Sequence, residues 1–101
     1  MVDTDFMKDE AKIAAQIKRL AERVKEERKR SGISQMDLSF KAELSQNQVN
    51  YIETGARIPN LYTILSICDA LRISPAVLFE PNDTERKEAR ETVLRLVSQF
   101  M

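Results

Sequence analysis

Histidine is absent from this 101-residue chain, and cysteine occurs once, at Cys68. No internal disulfide can form, so nothing argues for an oxidising compartment. With no imidazole and a lone thiol, the usual zinc ligand sets cannot be assembled. Glycine occurs only twice and proline three times, which disfavours turn-rich architectures and favours helices. No apolar run approaches the length that spans a bilayer. The opening MVDTDFMKDE is acidic and lacks an apolar stretch, so it reads as a loose start rather than a signal peptide. Neither sign of charge is in excess, with 16 Lys and Arg against 16 Asp and Glu. That balance counts mildly against a polyanionic partner. The expectation is one compact, all-helical, cytoplasmic domain with 43% apolar residues available for its core.

The apolar spacing places the helices. Ile13, Ile17, Leu20 and Val24 recur at steps of four, three and four. They form one stripe of a helix from about Asp9 to Arg30, which Ser31-Gly32 ends. Ser34 caps a second helix over residues 35–42, with Asp37 as a short capping-box acid. Ser45 caps a third, Gln48 completes its box, and Gly55 ends it. Asn60 caps a fourth, whose apolar set is Leu61, Ile64, Leu65, Ile67, Cys68 and Leu71. Cys68 reads as core packing there. Ser74-Pro75 opens a short fifth helix holding Leu78 and Phe79. Beyond Pro81, Asn82 to Glu85 starts a last helix running to about Phe100, with Val93, Leu96, Val97 and Phe100 on one face. The internal repetition in this pattern is the pair of Ser-Gln helix starts.

The third helix has an unusual outer face. If Val49 and Ile52 are buried, then Gln46, Asn47, Asn50 and Tyr51 lie opposite them, as two neighbouring pairs four residues apart. Solubility alone would favour Lys and Glu on such a face. Amides suit base edges, because Asn or Gln can donate to adenine N7 and accept from adenine N6, discriminating by about 1–3 kcal/mol. A capped, solvated polar helix fits the same residues, since Ser, Asn and Gln favour helix starts for local reasons. Both readings stand on the pattern alone.

The surrounding residues carry a resemblance. GISQMDLSFKAELSQNQVNYIETGARIP followed by LYTILSICDALRISPAVLF resembles the phage-repressor/Cro type (XRE-like) of helix-turn-helix regulators, from about Ile17 to Phe79. The shared pattern comprises the Gly-x-Ser-Gln opening, apolar Leu38 and Leu44, VNYIETG, RIP, and the helix ending AL-x-apolar-S. The resemblance implies an all-α, five-helix lambda-repressor-like DNA-binding domain. Its second and third helices form the helix-turn-helix, and an additional amphipathic helix follows. It further implies a domain at residues 1–80 with an extended first helix, and a helix at 81–101 for packing or dimerisation.

Roles follow from it position by position. Gln46, Asn47, Asn50 and Tyr51 occupy base-facing positions. Gln35 matches a residue that holds a phosphate and steadies the neighbouring Gln of the next helix. Ser45, Gln48 and Arg57 are placed to touch phosphates. Arg28 and Glu53 match a structural salt bridge between the first and third helices. Two positions depart from the pattern. Glu43 stands where Gly is usual, which costs of order 1 kcal/mol if the backbone is left-handed there, and Ser39 stands where Ala is usual.

The charge pattern bears on affinity. Between residues 34 and 60, Lys41 and Arg57 face Asp37, Glu43 and Glu53, so local phosphate neutralisation is poor. The basic weight lies on the first helix, from Lys18 to Arg30, and its part from Lys18 to Lys25 reads as a solvated face. A single domain is therefore expected to bind weakly and to need two copies on one duplex. The stripe Val93, Leu96, Val97, Phe100 requires cover, either from Ile13 and Ile17 of the same chain or from a second chain. The expectation is a double-stranded-DNA-binding transcription regulator, a nucleoid-associated homodimeric repressor on a palindromic operator. The rival reading is an antitoxin that covers a toxin and autoregulates its operon. No acid–base or nucleophile constellation and no cofactor motif points to an enzyme.

Overall fold

The computed structural model describes residues 9–81 and 83–99. Six helices make up the described chain: α1 Glu10–Arg30, α2 Gln35–Ala42, α3 Gln46–Thr54, α4 Leu61–Leu71, α5 Pro75–Phe79 and α6 Asp83–Gln99. Among the described residues no helix is long and apolar enough to cross a membrane. Asn82 and Phe100, each assigned a role from the sequence, lie outside the described residues.

The starts of α1 to α5 each use a short polar side chain to satisfy an otherwise open backbone amide. Asp9 accepts from the Lys12 amide of α1 (3.0 Å). The capping boxes of α2 and α3 are reciprocal. Ser34 Oγ accepts from the Asp37 amide (3.0 Å) while Asp37 Oδ2 accepts from the Ser34 amide (3.1 Å). Ser45 Oγ accepts from the Gln48 amide (3.1 Å) and Gln48 Oε1 from the Ser45 amide (2.9 Å). Asn60 and Ser74 cap α4 and α5, and Pro75 occupies the first turn of α5.

The helix ends repeat one device. After α1, α2 and α4 the chain enters the left-handed region at Gly32 (φ +75°), Glu43 (φ +56°) and Arg72 (φ +56°). The amide of the following residue then reaches back to a carbonyl five positions earlier: Ile33 to Arg28, Leu44 to Ser39 and Ile73 to Cys68. This is the Schellman arrangement. Ile33, Leu44 and Ile73 also pack against the core, and a serine cap follows each of them. Gly-Ile-Ser, Glu-Leu-Ser and Arg-Ile-Ser are thus one turn used three times, a repeat beyond the two Ser-Gln starts.

The core gathers α1 to α5. Val24, Leu38, Val49, Ile67, Cys68 and Leu78 are the most deeply buried side chains. α2 packs on α3 and α4, α1 packs on α3 and α5, and α4 meets α5. Ser39, in the usual alanine position, is buried and sends its hydroxyl to the Met36 carbonyl (2.6 Å), so no polar atom is stranded where α2 is covered. Leu61 and Leu65 do not join the other apolar residues of α4 inside and are exposed.

One expectation about charge is corrected. Arg23 does not belong to a solvated face, being only 4% exposed. Its guanidinium donates to the Val77 carbonyl (2.8 Å) and pairs with Glu26 and Glu27. The cause is local: a five-residue helix such as α5 leaves its last carbonyls without helical partners, and a long cationic donor from α1 supplies one. Arg19, half-buried, is also engaged, joining Glu85 of α6 (2.7 Å) and the Glu80 carbonyl (3.1 Å). α6 otherwise presents its apolar residues outward, with Val93, Leu96 and Val97 between 49% and 58% exposed. Ile13 is also exposed, so the stripe is not laid on it.

Candidate nucleic-acid interface

The geometry of α3 begins at the turn before it. Glu43 takes the left-handed conformation (φ 56°, ψ 44°), and Leu44 anchors the corner against the core. Ser45 and Gln48 then fix the first turn by their mutual capping. Val49, Ile52 and Glu53 face inward and are buried. Gln46, Asn47, Asn50 and Tyr51 are exposed, so the four candidate base readers share the outer side of one short helix.

The buried acid is neutralised from α1. Arg28 Nε lies 2.7 Å from Glu53 Oε2, and Arg28 Nη2 donates to Glu53 Oε1 at 3.0 Å. A third donation, from Nη1 to the Ile33 carbonyl (2.9 Å), ties the same guanidinium to the end of α1. The paired, parallel geometry suits a planar guanidinium facing a carboxylate. It holds α3 to α1 and keeps a negative charge off the exposed face.

Gln35 steadies α3 at a different residue from the one expected. It does not bond to Gln46. Its Nε2 instead donates to Asn50 Oδ1 (3.3 Å) and to Glu53 Oε1 (3.2 Å). The reason is the Glu53 carboxylate, which offers only acceptors and draws the Gln35 amino group one helical turn along α3. Buried Glu53 is thereby connected through Gln35 to Asn50 on the surface.

Ser45 and Gln48, read as phosphate contacts, are first of all caps. The box occupies Ser45 N–H, Gln48 N–H and the Gln48 carbonyl, and leaves the Gln48 NH₂ outside it. Arg57 is exposed and its guanidinium carbon stands 5.1 Å from the centre of the Tyr51 ring. The Arg57 amide also donates to the Tyr51 carbonyl (3.2 Å). The cation therefore steadies the aromatic ring, within the range where such pairs attract. The Gly55 turn, which folds Arg57 back over Tyr51, is the sequence signal for this pairing.

Comparisons with known proteins agree with this geometry. A helix-turn-helix family model matches residues 24–78, more than half of the chain. A solved structure, the restriction-modification controller protein C.AhdI from Aeromonas hydrophila, is 35% identical, with a TM-score of 0.60 over 64% of this chain and 97% of that one. No curated protein matches. Sequence, turn geometry and family match converge on one assignment: the chain belongs to the helix-turn-helix family, of the phage-repressor/Cro (XRE-like) type.

Proposed function

We propose that this protein is a sequence-specific double-stranded-DNA-binding transcription regulator, with α3 lying in the major groove. The observation that carries the reading is the division of α3 into two faces. Its one acid is buried and paired with Arg28, while its exposed face offers Gln46, Asn47, Asn50 and Tyr51, all uncharged and all able to hydrogen-bond. Base edges are read by such groups. Ser45, Gln48 and Arg57 flank that face and serve the phosphates, while the Gln35 NH₂ expected there is already committed to Asn50 and Glu53. The likeness to a restriction-modification controller protein supports a regulatory role.

The regulator acts as a homodimeric repressor on a palindromic operator. Residues 1–80 are the DNA-binding unit, and residues 81–101 supply the association helix. The exposed Val93, Leu96 and Val97 stripe supports association, as does the scarcity of cations around α3, which leaves a single copy weakly held. The same stripe favours a second reading, an antitoxin-type protein whose α6 covers a different protein. The mass of the purified chain separates the two, since a repressor dimer hides its own stripe without a partner. A binding selection from random duplexes tests the main reading. Two inverted half-sites about one helical turn, ~34 Å, apart are expected. Recovery of unrelated sequences would contradict it.

A further inference from the structure

We infer that Asn50 reads its base as a hydrogen-bond donor only, its carbonyl being held by Gln35. This rests on the proposed placement of α3 in the major groove. The Arg28 guanidinium has donors and no acceptor. It takes both oxygens of Glu53, at 2.7 and 3.0 Å. The Glu53 carboxylate, an acceptor only, then fixes the sense of Gln35: the NH₂ group must face it, as observed at 3.2 Å. A reversed Gln35 would set a carbonyl oxygen against a carboxylate. The same Gln35 NH₂ meets Asn50 at 3.3 Å, through Asn50 Oδ1. A reversed Asn50 would set one amino group against another. Each step admits one orientation, so a buried ion pair dictates which end of a surface amide is turned outward. That end is Asn50 Nδ2, with two N–H donors.

The consequence is a base preference opposite to the usual one. Asparagine pairs with adenine by donating to N7 and accepting from N6, which needs the carbonyl turned toward the base beside the amino group, whereas here it is turned toward Gln35. Guanine shows two acceptors in the major groove, N7 and O6, and thymine shows O4. Adenine N6 and cytosine N4 carry donors, which would face the Asn50 donors. Asn50 therefore selects guanine or thymine and rejects adenine and cytosine, by roughly tenfold, the scale of one good base contact. Gln35 acts as a positioning residue and need not touch a base.

The test uses the full chain in three forms, wild type, Asn50→Ala and Gln35→Met, each taken through random-duplex selection. Competition binding with all four bases follows at the position that Asn50→Ala flattens. Methionine has a shape close to glutamine but can neither donate nor fix the amide. The wild type is expected to prefer guanine or thymine there by about tenfold. In Gln35→Met the freed Asn50 carbonyl should raise adenine at that one position, with the others unchanged. If thermal melting shows that Gln35→Met is unfolded, Gln35→Ala replaces it. Adenine or cytosine preferred by the wild type, no position altered by Asn50→Ala, or a preference indifferent to Gln35 each overturns the inference. A sharp half-site with adenine under Asn50 removes the inference alone; no half-site at all removes the proposed function with it.

Discussion

Arg28 grips Glu53 by two roughly parallel hydrogen bonds of 2.7 and 3.0 Å, joining the last turn of α1 to the last turn of α3. The contact is buried on both sides. Removing one member of a buried pair strands the other charge, so Glu53→Leu or Arg28→Met should each lower unfolding free energy by about 3–5 kcal/mol. The double variant should cost clearly less than the sum of the two, since no charge is left unpaired. Denaturant unfolding of the four proteins checks this; strict additivity would show that the pair is not coupled.

Glu43 and Arg72 hold left-handed backbone without being glycine. Side chains other than glycine cost about 1–2 kcal/mol in that conformation, and glycine returns part of this through its own backbone entropy. Glu43→Gly and Arg72→Gly are each expected to raise the melting temperature by a few degrees, the change that ~1 kcal/mol produces in a domain of this size. Lower melting temperatures would show that the side chains themselves stabilise the turns.

Asp37 contributes to acid sensitivity. Its carboxylate accepts from the Ser34 amide, and then from the Ser34 side chain, which holds its pKa below the ordinary 3.8. A depressed folded-state pKa means the folded protein binds fewer protons than the unfolded chain in that window. The stabilisation is complete above 3.8 and is lost as the pH falls through the lower folded value. Thermal melts of the wild type and Asp37→Asn should therefore differ most at neutral pH and converge in acid. A difference that widens in acid would contradict the assignment.

The exposed face of α6 is the proposed seat of association. Leu96→Glu places a charge among Val93, Val97 and Leu94 and should convert a dimer to a monomer in sedimentation. The melting temperature of residues 9–81 should be little changed, because the ion pairs that join α6 to them, Arg19–Glu85 and Arg86–Glu80, do not involve Leu96. An unaltered dimer would move the interface elsewhere, for example to exposed Leu61 and Leu65 on α4.

Local chemistry was legible in the sequence, and cross-helix chemistry was not. Ser34, Ser45, Asn60 and Ser74 mark helix starts because a cap acts within three residues of itself. The inward sets Leu38/Ala42 and Val49/Ile52 follow from helical period. Arg23 could not be told from its solvated neighbours, because its burial depends on where α5 ends. The Gln35–Asn50 contact was equally hidden, since it depends on how α2 crosses α3. The pairing of Arg28 with Glu53 was reached through family resemblance. The threefold turn is masked in the sequence because its left-handed residue is Gly, Glu and Arg in turn, and only the Ile/Leu-Ser that follows recurs.

The outer face of α3 is proposed to read sequence. Its most direct test is random-duplex selection with a variant in which Gln46, Asn47 and Tyr51 are all alanine, after a thermal melt has shown that it folds. The half-site should disappear, while weak salt-sensitive binding to any duplex remains. A half-site as sharp as that of the wild type would contradict it.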